Sequence, residues 1–290
     1  MVESKPVASG VRWPKSNWEI PDQTMTPTSP TDFVVSAEQV QKFEADGFLV
    51  VHGLISADEV NQYRQIYDRF LSGQIACDQM RSDLGGHASP NKPGVENVTQ
   101  IMWPSDFVAG LADRALHRRT VAVARQLLGE DIVFDFDMLI DKAPRTDTPT
   151  PWHQDAAYWP NMPDTRAVSG WVALDEATLD NGCMWFVPGS HRKELRSHQA
   201  AGKGGGAKVC QATEAEGVAV PLKPGSATFH HGAMLHYSRG NTTDTHRRAH
   251  IVNFRPQAMV EYERRCGFDH GRSGNVTDRK VRNMNLQEKT

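Results

Sequence analysis

The hydrophobic period of this chain changes at Gly129, and that change limits the fold more than any other feature. Before it, apolar residues recur at helical spacing. Ser36-Ala-Glu-Gln39 and Ser56-Ala-Asp-Glu59 have the form of capping boxes. Val40 and Phe43 follow the first, and Val60, Tyr63, Tyr67, Phe70 and Leu71 share one face after the second. FLVVHGLI between them reads as a strand, and a further helix is predicted over about 106–128. After Gly129 the period is two. Ile132, Phe134, Phe136, Met138 and Ile140 alternate with Val133, Asp135, Asp137 and Leu139, which predicts a strand with one face inside. Strand-like runs follow at Ala167–Leu174, Cys183–Val187, Val218–Leu222, Ala227–His230 and Arg247–Phe254, with turn chemistry at Asp180-Asn-Gly182, Pro188-Gly-Ser190 and Pro224-Gly-Ser226. Helices first, then many short strands, predict a mainly β fold with α: a β-sandwich or jelly roll buttressed by N-terminal helices.

The organisation expected is an extended, Pro- and Thr-rich arm over 1–35, one domain over 36–260 and a tail over 261–290. Segments 73–98 and 196–216 break the rhythm and are expected to be lids. The GKGGGAK run in the second lacks the spacing of a phosphate-binding loop. A net charge of -3 over 290 residues gives no electrostatic reason for a nucleic-acid or anionic-membrane partner. No stretch approaches the ~20 apolar residues of a membrane span. Cys77, Cys183, Cys210 and Cys266 are far apart and form no C-x-x-C pair. With no secretory signal at the start and no peroxisomal signal at the end, a cytoplasmic protein with reduced thiols is expected.

His153-Gln-Asp155 is the most informative tripeptide. In extended chain, residues i and i+2 project to one side, so an imidazole and a carboxylate reach one ion together. His236, just after the run Ala227–His230, is the best third ligand; His230 and His231 compete with it, and His191 reads as a turn residue. Two His and one carboxylate form the facial triad of non-haem Fe(II) oxygenases, with positions open for a 2-oxo acid and O2. The same donors suit zinc. A 2-oxo dicarboxylate also needs a cation for its far end, and THRRAHIVNF offers Arg247 or Arg248 on opposite faces of a strand. Periodicity does not choose between them.

The segments ADGFLVVHGLIS, PWHQDAAYWP, SGWVALDEATLDNGCMWFVPGSHR and PGSATFHHGAMLHYSRGNTTDTHRRAHIVNF, in this order, resemble the phytanoyl-CoA dioxygenase family from about Ser36 to Phe254. The resemblance implies a double-stranded β-helix (cupin-like jelly roll), with Fe(II), 2-oxoglutarate and O2 as cofactor and co-substrates. It implies His153, Asp155 and His236 as metal ligands, and Arg247 rather than Arg248 as the 2-oxoglutarate arginine. Ser238, Met138 and Trp171 are implied as further co-substrate contacts. A polar contact, often lysine in relatives, falls at Gln100. Related halogenases lack the metal carboxylate, so Asp155 implies hydroxylation or another ordinary oxidation instead, and a small-molecule metabolite is the expected substrate. A zinc hydrolase and a non-catalytic sensor are the rival readings. Tyr158, Trp159 and residues 161–164 are expected to shape the substrate pocket.

Overall fold

The computed structural model describes residues 33–85, 96–201 and 207–273. Most of the expected arm, residues 86–95 and 202–206 of the expected lids, and the tail after 273 lie outside the described residues.

Both capping boxes form, at Ser36 and Ser56, and start α1 (Ala37–Asp46) and α2 (Ala57–Leu71). Between them β1 (Phe48–Val51) is shorter than FLVVHGLI, because the chain turns after Val51. Gly47 stops α1 at φ 84°, a left-handed conformation that favours glycine. Then come β2 (Arg81–Asp83) and β3 (Val98–Met102). The helix expected over 106–128 is two: α3 (Pro104–Phe107) and α4 (Ala115–Leu128). Gly110 sits at φ 69° in the turn between them, so the apolar period runs across a break that periodicity does not see.

After β4 (Ile132–Lys142) and β5 (Thr150–His153) come β6 (Val168–Ala173) and β7 (Met184–Phe186). The short pair β8 (Gln199–Ala200) and β9 (Lys208–Val209) is followed by β10 (Val218–Val220) and β11 (Ala227–His231). The chain closes with β12 (His236–Ser238), β13 (Arg247–Pro256) and α5 (Gln257–Arg265). Seven strands pair antiparallel in the order β1-β11-β6-β13-β4-β3-β2, and four in the order β10-β7-β12-β5. The two sheets close on each other as a jelly roll. Ile140, Trp171, Ala249 and Ile251 of the large sheet pack with Met184, Phe186 and Val220 of the small one. The other face of the large sheet packs Val172, Phe229 and Val252 with Phe43, Tyr67, Phe70 and Val123 of the helices. Each of the buried Val, Ile, Phe and Met side chains among them contributes roughly 1.5–3 kcal/mol.

β4 departs from the expected alternation. Asp135 and Asp137 are buried, not outside, because helices cover the second face. Opposite Asn253/Phe254 the register skips Asp135. That bulge lets Phe134 pack with the helical core while Phe136 and Met138 face the interior between the sheets. The expected boundary at residue 260 falls inside α5, and Phe268 is buried beyond it, so the fold continues past the expected start of the tail.

His231 turns to the outside of the site, near His191, and its Nδ1 accepts from the Ala233 N–H at 3.0 Å. Burial pushes its pKa down to about 4. The unfolded chain binds a proton there that the folded chain rejects, so stability falls as pH drops from about 6.5 to about 4. We expect melts at pH 7 and pH 4.5 to show a loss smaller by roughly 2–3 kcal/mol in His231→Gln than in wild type. Equal losses in the two proteins would contradict this role.

Candidate metal and co-substrate site

Strand register builds the site. β12 pairs with β5 so that His236 stands opposite His153. Asp155 follows two residues on, at the start of a single 3-10 turn, Asp155–Tyr158. Asp155 Oδ1 lies 3.6 Å from the Nε2 atoms of both His153 and His236. The donor atoms of the three residues all lie within 4.8 Å of one another. Gln154, between the ligands, points away: its Nε2 donates to the Ala233 carbonyl at 2.7 Å and its Oε1 accepts from the Arg196 N–H at 2.9 Å. Those bonds fix the strand end that carries His153 and Asp155.

Among the described residues two other groups also bring His and acidic donors together: His117/Asp137/His250 and Asp135/Glu263/His270. The ring nitrogens that face away separate them. His153 Nδ1 meets the Pro151 carbonyl at 2.7 Å and His236 Nδ1 the Met234 carbonyl at 2.9 Å. Each therefore carries its proton on Nδ1 and presents an Nε2 lone pair to the centre, the arrangement metal-binding imidazoles need. In the core group, His117 Nδ1 and His250 Nδ1 have no hydrogen-bond partner among the described residues, and His117 Nε2 is spent on Asp137 at 3.1 Å. In the third group arginines neutralise the carboxylates. Among the described residues, the His153/Asp155/His236 group alone fits an ion. Burial and the neighbouring His153 push the pKa of His236 well down, which keeps it neutral. Burial would raise that of Asp155, yet the imidazoles of His236, His153 and His230 hold it well below the carboxylate range.

The large sheet forms the floor facing this group. On successive rungs of β6, β13 and β4 stand Ser169–Asn253–Phe136, Trp171–Ile251–Met138 and Ala173–Ala249–Ile140, with Arg247 opposite Lys142 beyond them. Gln100 of β3 pairs with Ile140. Arg247 is 1% exposed, and its guanidinium reaches back along the strand to 5.2 Å from the Trp171 ring. Its Nε and Nη1 find no hydrogen-bond partner among the described residues. A buried guanidinium with N–H groups to spare fits a carboxylate. Arg248 points the other way, held by Asp175 at 2.8 Å and Asp68 at 2.6 Å on the helical face. Alternation thus puts Arg247 on the cavity side of β13 and Arg248 on the helical side.

One cavity of about 1190 Å³ is lined by all eight residues singled out from the sequence: Gln100, Met138, His153, Asp155, Trp171, His236, Ser238 and Arg247. Gln100 donates to Met138 Sδ at 3.2 Å. Tyr158 and Trp159 line the same cavity, whereas residues 161–164 do not.

Sequence reading missed several neighbours. Lys142, fully buried beside Arg247, donates to the Thr148 carbonyl at 2.8 Å, and burial drives its pKa well down. It stands on the alternation of Met138 and Ile140, which was the available signal. His230, weighed as a rival ligand, faces the other carboxylate oxygen of Asp155 at 3.5 Å. Ser169 Oγ lies 3.0 Å from that oxygen and 2.6 Å from Asn253 Oδ1. One hydroxyl proton does not serve both acceptors. Exchanging the amide N and O of Asn253 resolves this: its NH2, otherwise without a partner among the described residues, donates to Ser169, and Ser169 donates to Asp155.

Comparison with known proteins agrees with this geometry. Residues 43–249 match the profile of the phytanoyl-CoA dioxygenase family. A probable phytanoyl-CoA dioxygenase of Caenorhabditis elegans is 26% identical over 244 residues, covering 79% of this chain and 78% of that protein. The peroxisomal phytanoyl-CoA dioxygenase of Rattus norvegicus is 27% identical over 248 residues, covering 77% and 72%. Among solved structures, EvdO2 of Micromonospora carbonacea var. aurantiaca in complex with 2-oxoglutarate is 29% identical and superposes with a TM-score of 0.61, covering 77% of this chain and 91% of that one. The epimerase SnoN, in complex with Fe3+, α-ketoglutarate and nogalamycin RO, is 26% identical with a TM-score of 0.59, covering 75% and 82%. Among the described residues no helix is long and apolar enough to cross a membrane. On its own match over most of its length, the chain belongs to the phytanoyl-CoA dioxygenase family of iron- and 2-oxoglutarate-dependent oxygenases.

Proposed function

We propose that this protein hydroxylates an aliphatic C–H bond of a small-molecule metabolite, using Fe(II), 2-oxoglutarate and O2. The observation that carries this reading is the buried guanidinium of Arg247, unpartnered on two nitrogens among the described residues, in the same cavity as the His153, Asp155 and His236 donors. A zinc hydrolase has no use for such a cation, and a sensor has no need of the whole donor set.

In this reading His153 and His236 hold iron through Nε2 and Asp155 through a carboxylate oxygen. The bound iron, with 2-oxoglutarate and O2, supplies the oxidising chemistry, with succinate and CO2 as co-products. Arg247 holds the far carboxylate of 2-oxoglutarate bidentately and Ser238 adds a hydroxyl donor. Met138 and Trp171 shape the slot between, and Gln100 borders it on β3. Ser169 keeps the free oxygen of Asp155 hydrogen-bonded, which fixes the carboxylate against rotation. Tyr158 and Trp159 close the substrate side against water.

Anaerobic titration of the Fe(II)-loaded protein with 2-oxoglutarate tests the reading. We expect a weak visible charge-transfer band that saturates at one equivalent per chain. Absence of the band, with tight Zn(II) binding instead, would return the zinc hydrolase to first place.

A further inference from the structure

Beyond the Asn253 rung the cavity ends in an aromatic wall that the family match does not reach in full. Phe136, Trp159, Phe268 and His270 all line it. Phe268 and His270 lie after the matched residues 43–249 and were read from the sequence as tail. The imidazole of His270 stacks on Phe136 with ring centroids 3.8 Å apart and an interplanar angle of 27°, and Phe268 meets it edge-on at 4.6 Å.

One buried carboxylate orients two members of the wall. Asp135, the bulged residue of β4, accepts from Arg255 Nε at 2.7 Å, from Arg264 at 2.5 Å and faces His270 Nε2 at 3.1 Å. Arg255 in turn lies 3.8 Å from the centroid of the Trp159 ring and covers one of its faces. Gly232 packs against the rim of that ring so closely that a Cβ there would collide with it. Trp159 and His270, on different segments, are thus oriented through the same side chain. Burying Asp135, Arg255 and Glu263 at 2% exposure or less is expensive in desolvation, and a hydrophobic filling would hold the fold at least as well. What the cluster achieves is a wall fixed before any ligand arrives.

We propose that this wall, at the end of the cavity remote from Arg247, receives a flat, uncharged ring system of the substrate, and that Trp159 and Phe136 select for it. The inference deepens the oxygenase reading and rests on it, since it names the class of molecule that would be oxidised. Flat rings gain from offset or edge contacts with fixed aromatic faces, whereas a flexible alkyl chain gains only from burial. A quaternary ammonium, the other usual guest of aromatic walls, is disfavoured here. Arg255 already occupies one face of Trp159, and Asp135 and Glu263 hold the pKa of His270 up against the effect of burial, which keeps positive charge beside the wall.

The test is anaerobic equilibrium binding to the full-length protein with Fe(II) and 2-oxoglutarate, by saturation-transfer NMR, of three probes: 2-naphthol, 1-octanol and choline. We expect 2-naphthol to bind roughly three- to tenfold tighter than 1-octanol, the margin an aromatic pair adds beyond burial, and choline not to bind. Trp159→Leu and Phe136→Leu keep an apolar side chain without the ring face, and each should remove the preference for naphthol. Trp159 is only partly buried, so its variant is expected to fold even where the Phe136 variant does not. Equal binding of naphthol and octanol to the wild type overturns the proposal, as does a preference that survives in Trp159→Leu. Tight choline binding overturns it too. The charge-transfer band, read in the same samples, separates the two readings. A missing band with the naphthol preference intact supports the ring site and counts against the oxygenase alone.

Discussion

An Arg247→Met protein will bind Fe(II) as the wild type does, lose most of its affinity for 2-oxoglutarate, and be more stable than the wild type when neither is added. The three outcomes follow from one side chain. Arg247 is 1% exposed, and burial pushes its pKa down to about 10, so at neutral pH it remains a buried cation. Its Nε and Nη1 have no partner among the described residues. Exchanging it for an apolar side chain of similar length removes that desolvation cost, and a gain of roughly 1–3 kcal/mol is expected in urea or thermal melts. Removing the cation that meets a buried carboxylate costs about 2–5 kcal/mol of binding, or roughly 30- to several-thousand-fold in Kd for 2-oxoglutarate. Saturating 2-oxoglutarate at about 100 times Kd stabilises the wild type by about 2.7 kcal/mol, and at the same concentration this increment will fall below about 1 kcal/mol in the variant. Arg248→Met is the control. Its parent is already paired with Asp175 and Asp68 on the helical face, so 2-oxoglutarate affinity should hold while stability drops slightly. An Arg247→Met protein that keeps 2-oxoglutarate affinity within about threefold would remove the main support for the oxygenase reading.

That pair of arginines shows where sequence stops being informative. Local features were legible: the capping boxes at Ser36 and Ser56, the glycine that ends α1 and the strand starts at Ile132 and Arg247 depend on residues within a few positions of one another. So was the presence of both metal-side segments, because His153 and Asp155 are neighbours and His236 lies in a distinctive stretch. What register decides was not legible. His236 faces His153 because β12 pairs with β5, and nothing local in either strand says so. The bulge at Asp135 exchanges the faces of β4, and an unbroken alternation from Ile132 to Ile140 conceals it. The least visible part was the aromatic wall. Its pairs join residues 120 to 135 positions apart, as Asp135 with Arg255, Arg264 and His270, and a lone aspartate in an alternating strand reads as solvent-facing. Buried charge is read from the sequence only when its partners are close in the chain.

The same cluster carries the second large effect. Asp135→Asn keeps the shape of the side chain but leaves Arg255, 2% exposed, with its main counter-charge gone, and it weakens the hold on Arg264 and His270. Breaking a buried ion pair from one side costs about 3–5 kcal/mol. For a domain of this size that corresponds to a melting point lower by roughly 10 °C. The pH dependence identifies the cause. Burial would raise the pKa of Asp135, yet His270, Arg255 and Arg264 hold it far below the usual carboxylate range. Its contribution is therefore complete above the unfolded value near 4 and declines as pH falls below it. His270 behaves oppositely: burial lowers its pKa, the carboxylates of Asp135 and Glu263 more than restore it, and its contribution is complete below about 6.5 and is lost as pH rises through the raised folded value. The gap in stability between wild type and Asp135→Asn should then be widest between about pH 4 and 6.5 and narrow on both sides. Melts at pH 3, 5.5 and 9 measure it. A gap that stays constant across that range would mean that Asp135 acts through packing rather than charge, and the aromatic wall would then need another organiser. A gap with the expected shape, accompanied by loss of the naphthol preference in the still-folded variant, would tie the electrostatics of the bulge to the choice of substrate.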